Sequence, residues 1–177
     1  MRRPLSPWAC AAGGLMLAAS PASAQWGERT FSIQEIAADL AYGFCPLYLG
    51  SQFPLTGNPM LAERGFGEEV TRSPDVRFGE VEQVKAVKPD GTAAFGGVSG
   101  QVCNVTITGA DGDAVLARLK SNMAFLGIPM QPDAAHSSEQ VEAFKGAIQE
   151  GQVLHIQLAH TGDAQQTIIA QLYVTPE

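Results

Sequence analysis

Two stretches near the C-terminus restrict the fold more than any other feature. "QVLHIQLAH" (152–160) alternates Leu154, Ile156 and Leu158 against His155 and Gln157. "QTIIAQLYV" (166–174) alternates Ile168, Ala170, Leu172 and Val174 against Ile169 and Tyr173. A two-residue period is the signature of a strand with one face buried. The turn-forming "TGDAQ" between them makes the pair an antiparallel hairpin. A chain ending this way needs a sheet with a covered face and helices or a second sheet to cover it.

The cover is visible upstream. "FSIQEIAADLAYG" carries an apolar stripe of Ile33, Ile36, Ala37, Leu40 and Ala41. Ser32 and Glu35 are spaced as a capping box, and Gly43 is a natural terminator, so a helix is predicted over about 32–43. "ADGDAVLARLKSNMAFLG" places Leu116, Leu119, Met123 and Leu126 on one side. Asp111 or Asp113 caps it and Gly127 ends it, which predicts a second helix over about 111–126. Asn58 and Pro59 open a short helix to about Gly65.

Between the helices, Val81, Val84 and Val87 flank a Pro89-Asp90-Gly91 turn, a second hairpin. A strand follows over about 101–108. Residues 139–150 fit both periods; Gly146 and Gly151 tilt the reading towards a strand. No internal repeat is visible. The element order predicts one α+β domain, a mostly antiparallel sheet with the two main helices packed on one face.

The N-terminus reads as a removable leader. Arg2 and Arg3 precede an apolar run from Trp8 to Ala19, and Ala22-Ser23-Ala24 is a small-x-small cleavage pattern. Residues 1–24 are expected to be cleaved as a bacterial signal peptide, leaving a single domain over 25–177 in the periplasm or the medium. The leader takes two arginines and no acidic residue with it, so the net charge of −7 becomes −9. Such a chain repels nucleic acid and anionic membrane surfaces, so neither is expected as a partner.

Cys45 and Cys103 remain after cleavage, an even count in an oxidising compartment. In "QVCNVTITG", Cys103 shares parity with Val105 and Ile107 and faces inward. Cys45 sits among Phe44, Leu47, Tyr48 and Leu49. The two are expected to be joined, closing a long loop worth ~3–4 kcal/mol in the chain-entropy model. A nucleophilic Cys45 finds no histidine near it in sequence, and Cys45-Pro46 alone does not make a haem motif.

Chemical motifs are scarce. His136, His155 and His160 show no metal-ligand spacing, and His155 and His160 have opposite strand parity; neither metal nor cofactor is expected. The aspartates of "GADGDA" fit a helix cap better than a calcium loop. "GGVSG" lacks the lysine and helix of a phosphate loop and reads as a bend or bulge in a strand. Two function classes stay open. One is a non-enzymatic binding or assembly module, its partner a protein, an envelope component, a small ligand or a second copy, with His155, Ile169 and Tyr173 on an accessible face of the last hairpin. The other is a secreted hydrolase using His155, His160 and Asp163 around the same hairpin.

Overall fold

A computed structural model describes residues 31–149, 151–162 and 166–177. The expected leader and Asp163 lie outside the described residues. The fold is α+β. Eight antiparallel strands form one sheet in the order β1-β2-β3-β4-β8-β7-β6-β5, with β1 Thr71–Asp75, β2 Gly79–Lys88, β3 Gly91–Val98, β4 Val102–Thr108, β5 Gln131–Pro132, β6 Val141–Gln149, β7 Gln152–His160 and β8 Thr167–Pro176. Residues 139–150 thus fall largely in a strand. Gly146 has a packing reason to be glycine: a Cβ there would meet Ile128 and Met130 at 2.8 Å.

The first helix starts where the capping box places it. α1 spans Ile33–Ala38, with Glu35 N donating to Ser32 Oγ and Ser32 N donating to Glu35 Oε2. It does not stop at Gly43. The chain continues through a π-helical turn, Asp39–Phe44, into α2, Cys45–Leu49. Gly43 keeps a negative φ and makes no left-handed cap. The cause is Pro46, which has no N–H to donate and whose ring crowds the carbonyl four residues back. A wider turn, in which the Cys45 N–H reaches back five residues to the Leu40 carbonyl, absorbs this mismatch. α3, Pro59–Glu63, is capped by Asn58 Oδ1 accepting from Met60 N at 3.0 Å. α4, Gly112–Asn122, is capped by Asp111, passes into a 3-10 turn at Met123–Leu126 and ends on Gly127 with φ 66°.

Helices then four-strand meander occur twice along the chain, and the two meanders meet where β4 pairs with β8, Val105 opposite Ala170. α1 and α4 pack on each other, α1 against β3 and β4 and α4 against β8. Beneath them lie Phe95, Cys103, Val105, Ile107, Leu154, Ile156, Leu158, Ile168, Ala170 and Leu172 in one buried cluster. Phe95 is its centre, ringed by Phe44, Tyr48 and Phe53 with centroids 4.9–6.2 Å apart within the group. The Cys45–Cys103 disulfide ties α2 to β4, Cα atoms 5.5 Å apart. "GGVSG" lies at the end of β3. Gly96 and Gly97 have φ of 153° and 146°, and a Cβ on either would sit 2.0 Å from a carbonyl of the neighbouring strand. These glycines let three backbones approach.

Two placements read from parity need correction, one inward and one outward. Val174 is 36% exposed, because it lines a chamber that the helices leave open beside β8. Tyr173 is 2% exposed rather than accessible. Its cover is the β1–β2 turn, whose Arg77 guanidinium lies 4.3 Å from its ring centroid and whose Phe78 ring lies 5.9 Å away.

Candidate functional site

The helix layer does not close fully over the sheet. Where the π-helical turn passes the end of α4, two chambers open, of about 390 and about 370 Å³. Tyr42 and Phe125 line both. The first chamber is polar on one side, with Asp39, Arg64, Arg118 and Asn122 in its wall. The second is apolar, walled by Pro46, Leu49, Leu126, Ile128, Ile148 and Leu154 among others. Their sizes lie at the small end of ordinary ligand sites, ~300–1,000 Å³.

Each side chain is placed by its element. The π-helical turn puts Tyr42 over the seam, and the residue is only 6% exposed. Its hydroxyl is buried and has no hydrogen-bond partner among the described residues. A buried hydroxyl left unpaired costs about 1–3 kcal/mol, so it marks a place where a partner is missing. Burial pushes the Tyr42 phenol above its ordinary value, which keeps it a neutral donor. Arg64, directly after α3, lies over the Phe44 ring at 4.7 Å and pairs through Nη2 with Asp39 Oδ2 at 3.0 Å. Its Nη1 donates to the Met60 carbonyl at 3.1 Å, and its Nε is buried without a hydrogen-bond partner among the described residues. Arg118 and Asn122 stand one helical turn apart on α4, and Asn122 Nδ2 donates to the Arg118 carbonyl. A neutral phenol and two guanidiniums bind and orient; none of them abstracts a proton at neutral pH.

The residues singled out from sequence lie elsewhere. His155 sits on the helix-free face of the sheet, and His160 on the opposite face, in a separate cavity with Asp113, Leu116 and Gln166. The structure does not bring these two histidines together. Ile169 is half-buried on the helix-free face between Thr106 and Ala159. His155 instead joins Tyr173 with two groups the sequence reading passed over, Thr175 and Asp133. Its ring stacks on Tyr173, centroids 4.9 Å apart and planes 7° from parallel. Its Nε2 lies 2.9 Å from Thr175 Oγ1. Its Nδ1 lies 3.8 Å from Asp133 Oδ2, beyond hydrogen-bond reach. That oxygen already receives His136 Nδ1 at 2.8 Å.

Asp133 is 3% exposed, and the His136 hydrogen bond in first place, with Lys145 beside it, holds its carboxyl below the usual carboxylate range. Burial pushes the His155 imidazole below its ordinary value, partly offset by the Asp133 charge. The hydroxyl, imidazole and carboxylate stand in the order of a hydrolytic relay, but the imidazole–carboxylate link is not made. What the contacts do accomplish is to fasten the segment over 133–137, with its 3-10 turn Ala134–His136, to the sheet: Asp133 N donates to the Ala143 carbonyl and Ser137 Oγ accepts from Ala143 N. Among the described residues no group of three or more His, Cys, Asp or Glu side chains is arranged to hold a metal ion.

Comparison with known protein families, with characterised proteins and with solved structures finds no match to this chain.

Proposed function

We propose that this protein is an exported, non-enzymatic binding module whose ligand is a small, largely apolar molecule held in the cleft around Tyr42. One observation carries the reading: Tyr42, whose buried hydroxyl has no partner among the described residues, lines both chambers, one apolar and one polar. An apolar pocket with a few convergent polar groups is the ordinary form of a small-molecule site. Export is supported by the leader pattern of residues 1–24 and by the Cys45–Cys103 disulfide. No helix among the described residues is long and apolar enough to cross a membrane.

The test uses the mature, disulfide-bonded protein and the neutral fluorophore N-phenyl-1-naphthylamine. Saturable binding at one site per chain is expected. Ile148 and Val174 line the mouth of the apolar chamber and are both partly exposed. Ile148→Arg and Val174→Arg should each weaken the probe about tenfold or more by placing a charge in its path, while the melting temperature moves little. A titration that never saturates, or mouth variants that bind like the parent, would refute the cleft.

A hydrolase reading draws on the 2.9 Å contact between His155 and Thr175. It ranks second because the Asp133 carboxylate is committed to His136.

A further inference from the structure

We infer that the ligand of this cleft is a single-chain amphiphile with a carboxylate head, an inference that rests on the binding reading above. The division of the two chambers supplies the argument. Tyr42 and Phe125 form a common wall between an apolar slot and a chamber bearing two guanidiniums. Phe125 is 80% exposed, and an exposed side chain changes rotamer in picoseconds to nanoseconds, so it can swing clear of the seam. A molecule spanning both chambers needs an apolar tail and a polar end.

The charge of that end follows from the wall. The polar chamber holds Arg64 and Arg118 against the one carboxylate of Asp39. Asp39 is taken by Arg64. Arg118 is exposed and makes no ion pair among the described residues, so one positive charge is left over. This local excess stands against a chain whose formal net charge is −7. Asn122 adds an amide next to it, and Tyr42, whose buried hydroxyl has no partner among the described residues, lines the same chamber as a neutral donor. A carboxylate is acceptor-only and takes several donors at once. It pairs with a planar guanidinium in two parallel hydrogen bonds. A cationic head would meet Arg118, and a neutral head would leave it unused.

Displacement of N-phenyl-1-naphthylamine by decanoate, 1-decanol and decyltrimethylammonium tests the inference. Decanoate should displace the probe at about one-tenth the concentration the alcohol needs, the ratio expected of one charge-assisted hydrogen-bonded pair, and the cation should be weakest. Arg118→Gln should bring decanoate towards the alcohol and leave the alcohol unchanged within about twofold, with an unaltered melting temperature because the side chain is exposed. Equal affinity for the acid and the alcohol, a preference for the cation, or an Arg118→Gln protein that still favours decanoate would overturn the head-group inference while the mouth variants continue to define the cleft. If none of the three compounds displaces the probe and the mouth variants have no effect, the cleft falls with it.

Discussion

The two faces of the sheet are buried by different means. On the helix-covered face, alternate residues of β2, β3, β4, β8 and β7 are apolar and vanish beneath continuous stripes of α1 and α4. The helix-free face has no such cover. Its middle is a polar row in which Gln171 Nε2 donates to Asn104 Oδ1 at 3.1 Å and Gln157 Nε2 to the Tyr173 hydroxyl at 3.4 Å. Cover comes only locally, from Arg77 and Phe78 over Tyr173 and from the segment over 133–137 beside His155. The first face is held by area, and any well-shaped apolar residue serves it. The second is held by specific partners, so each burial there depends on a small number of groups.

That difference can be broken by mutation. Phe95→Ala, on the helix-covered face, should cost about 3–5 kcal/mol, the range for a fully buried aromatic side chain. Tyr173→Ser, on the other face, should cost about 2–4 kcal/mol, through the lost stack on His155 and the lost contact with Arg77. Urea unfolding with the disulfide intact measures both. A Tyr173→Ser cost within about 1 kcal/mol would be that of an ordinary solvated site. The two faces would then differ in burial itself and not only in how burial is achieved.

A second expected effect is smaller and depends on pH. In the native protein burial lowers the His155 pKa below its ordinary 6.5. The unfolded chain therefore holds more protons than the native one between those two values. Stability is fully present above about pH 6.5 and falls as pH drops through the native value. The groups facing the ring are Asp133, which opposes the shift, and His136, Lys145 and Arg77, which add to it. Asp133 is also lowered, so its contribution is present above its ordinary 3.8 and is lost only at more acid pH. His155→Gln should flatten the first loss, which begins as pH falls below about 6.5, and leave the second. Unfolding curves across that window decide it. A first loss that survives in the variant belongs to another group.

The same contrast explains what was legible in the sequence. Parity alone placed Leu154, Ile156, Leu158, Cys103 and Val105, because a covered face writes its period into the strand. The paired cysteines followed from that parity and from the leader pattern, which predicts an oxidising compartment. Helix starts were legible through Ser32, Asn58 and Asp111, whose side chains cap locally. The passage through Gly43 was not, since a π-helical turn answers to Pro46 and to tertiary packing. Tyr173 was misplaced because its cover comes from a turn almost a hundred residues earlier. Asp133 and His136 lie in a stretch without periodicity, and only the β5–β6 pairing brings them under His155. Their spacing, an acid three residues before a histidine, is the one local signal they carried. The doubling of helices and meander left no trace, since alternation fixes which face a residue takes and not its identity. The cleft was equally silent: Tyr42 and Arg118 meet only through the packing of α1 and its π-helical turn on α4.

The smallest expected effect lies on the helix-covered face, where area should decide everything and one group is an exception. Tyr42 keeps a buried hydroxyl with no partner among the described residues. Tyr42→Phe retains the ring and removes the unpaired oxygen, so the ligand-free protein should gain up to about 1 kcal/mol. The same change should weaken decanoate a few-fold by removing a donor. A gain in stability together with a loss in binding is the mark of a group kept for a ligand, since a group kept for folding would lose both. Should Tyr42→Phe destabilise the ligand-free protein, the hydroxyl is satisfied within the folded chain. The helix-covered face would then be uniform, and the case for the cleft would rest on Arg118 and the apolar chamber.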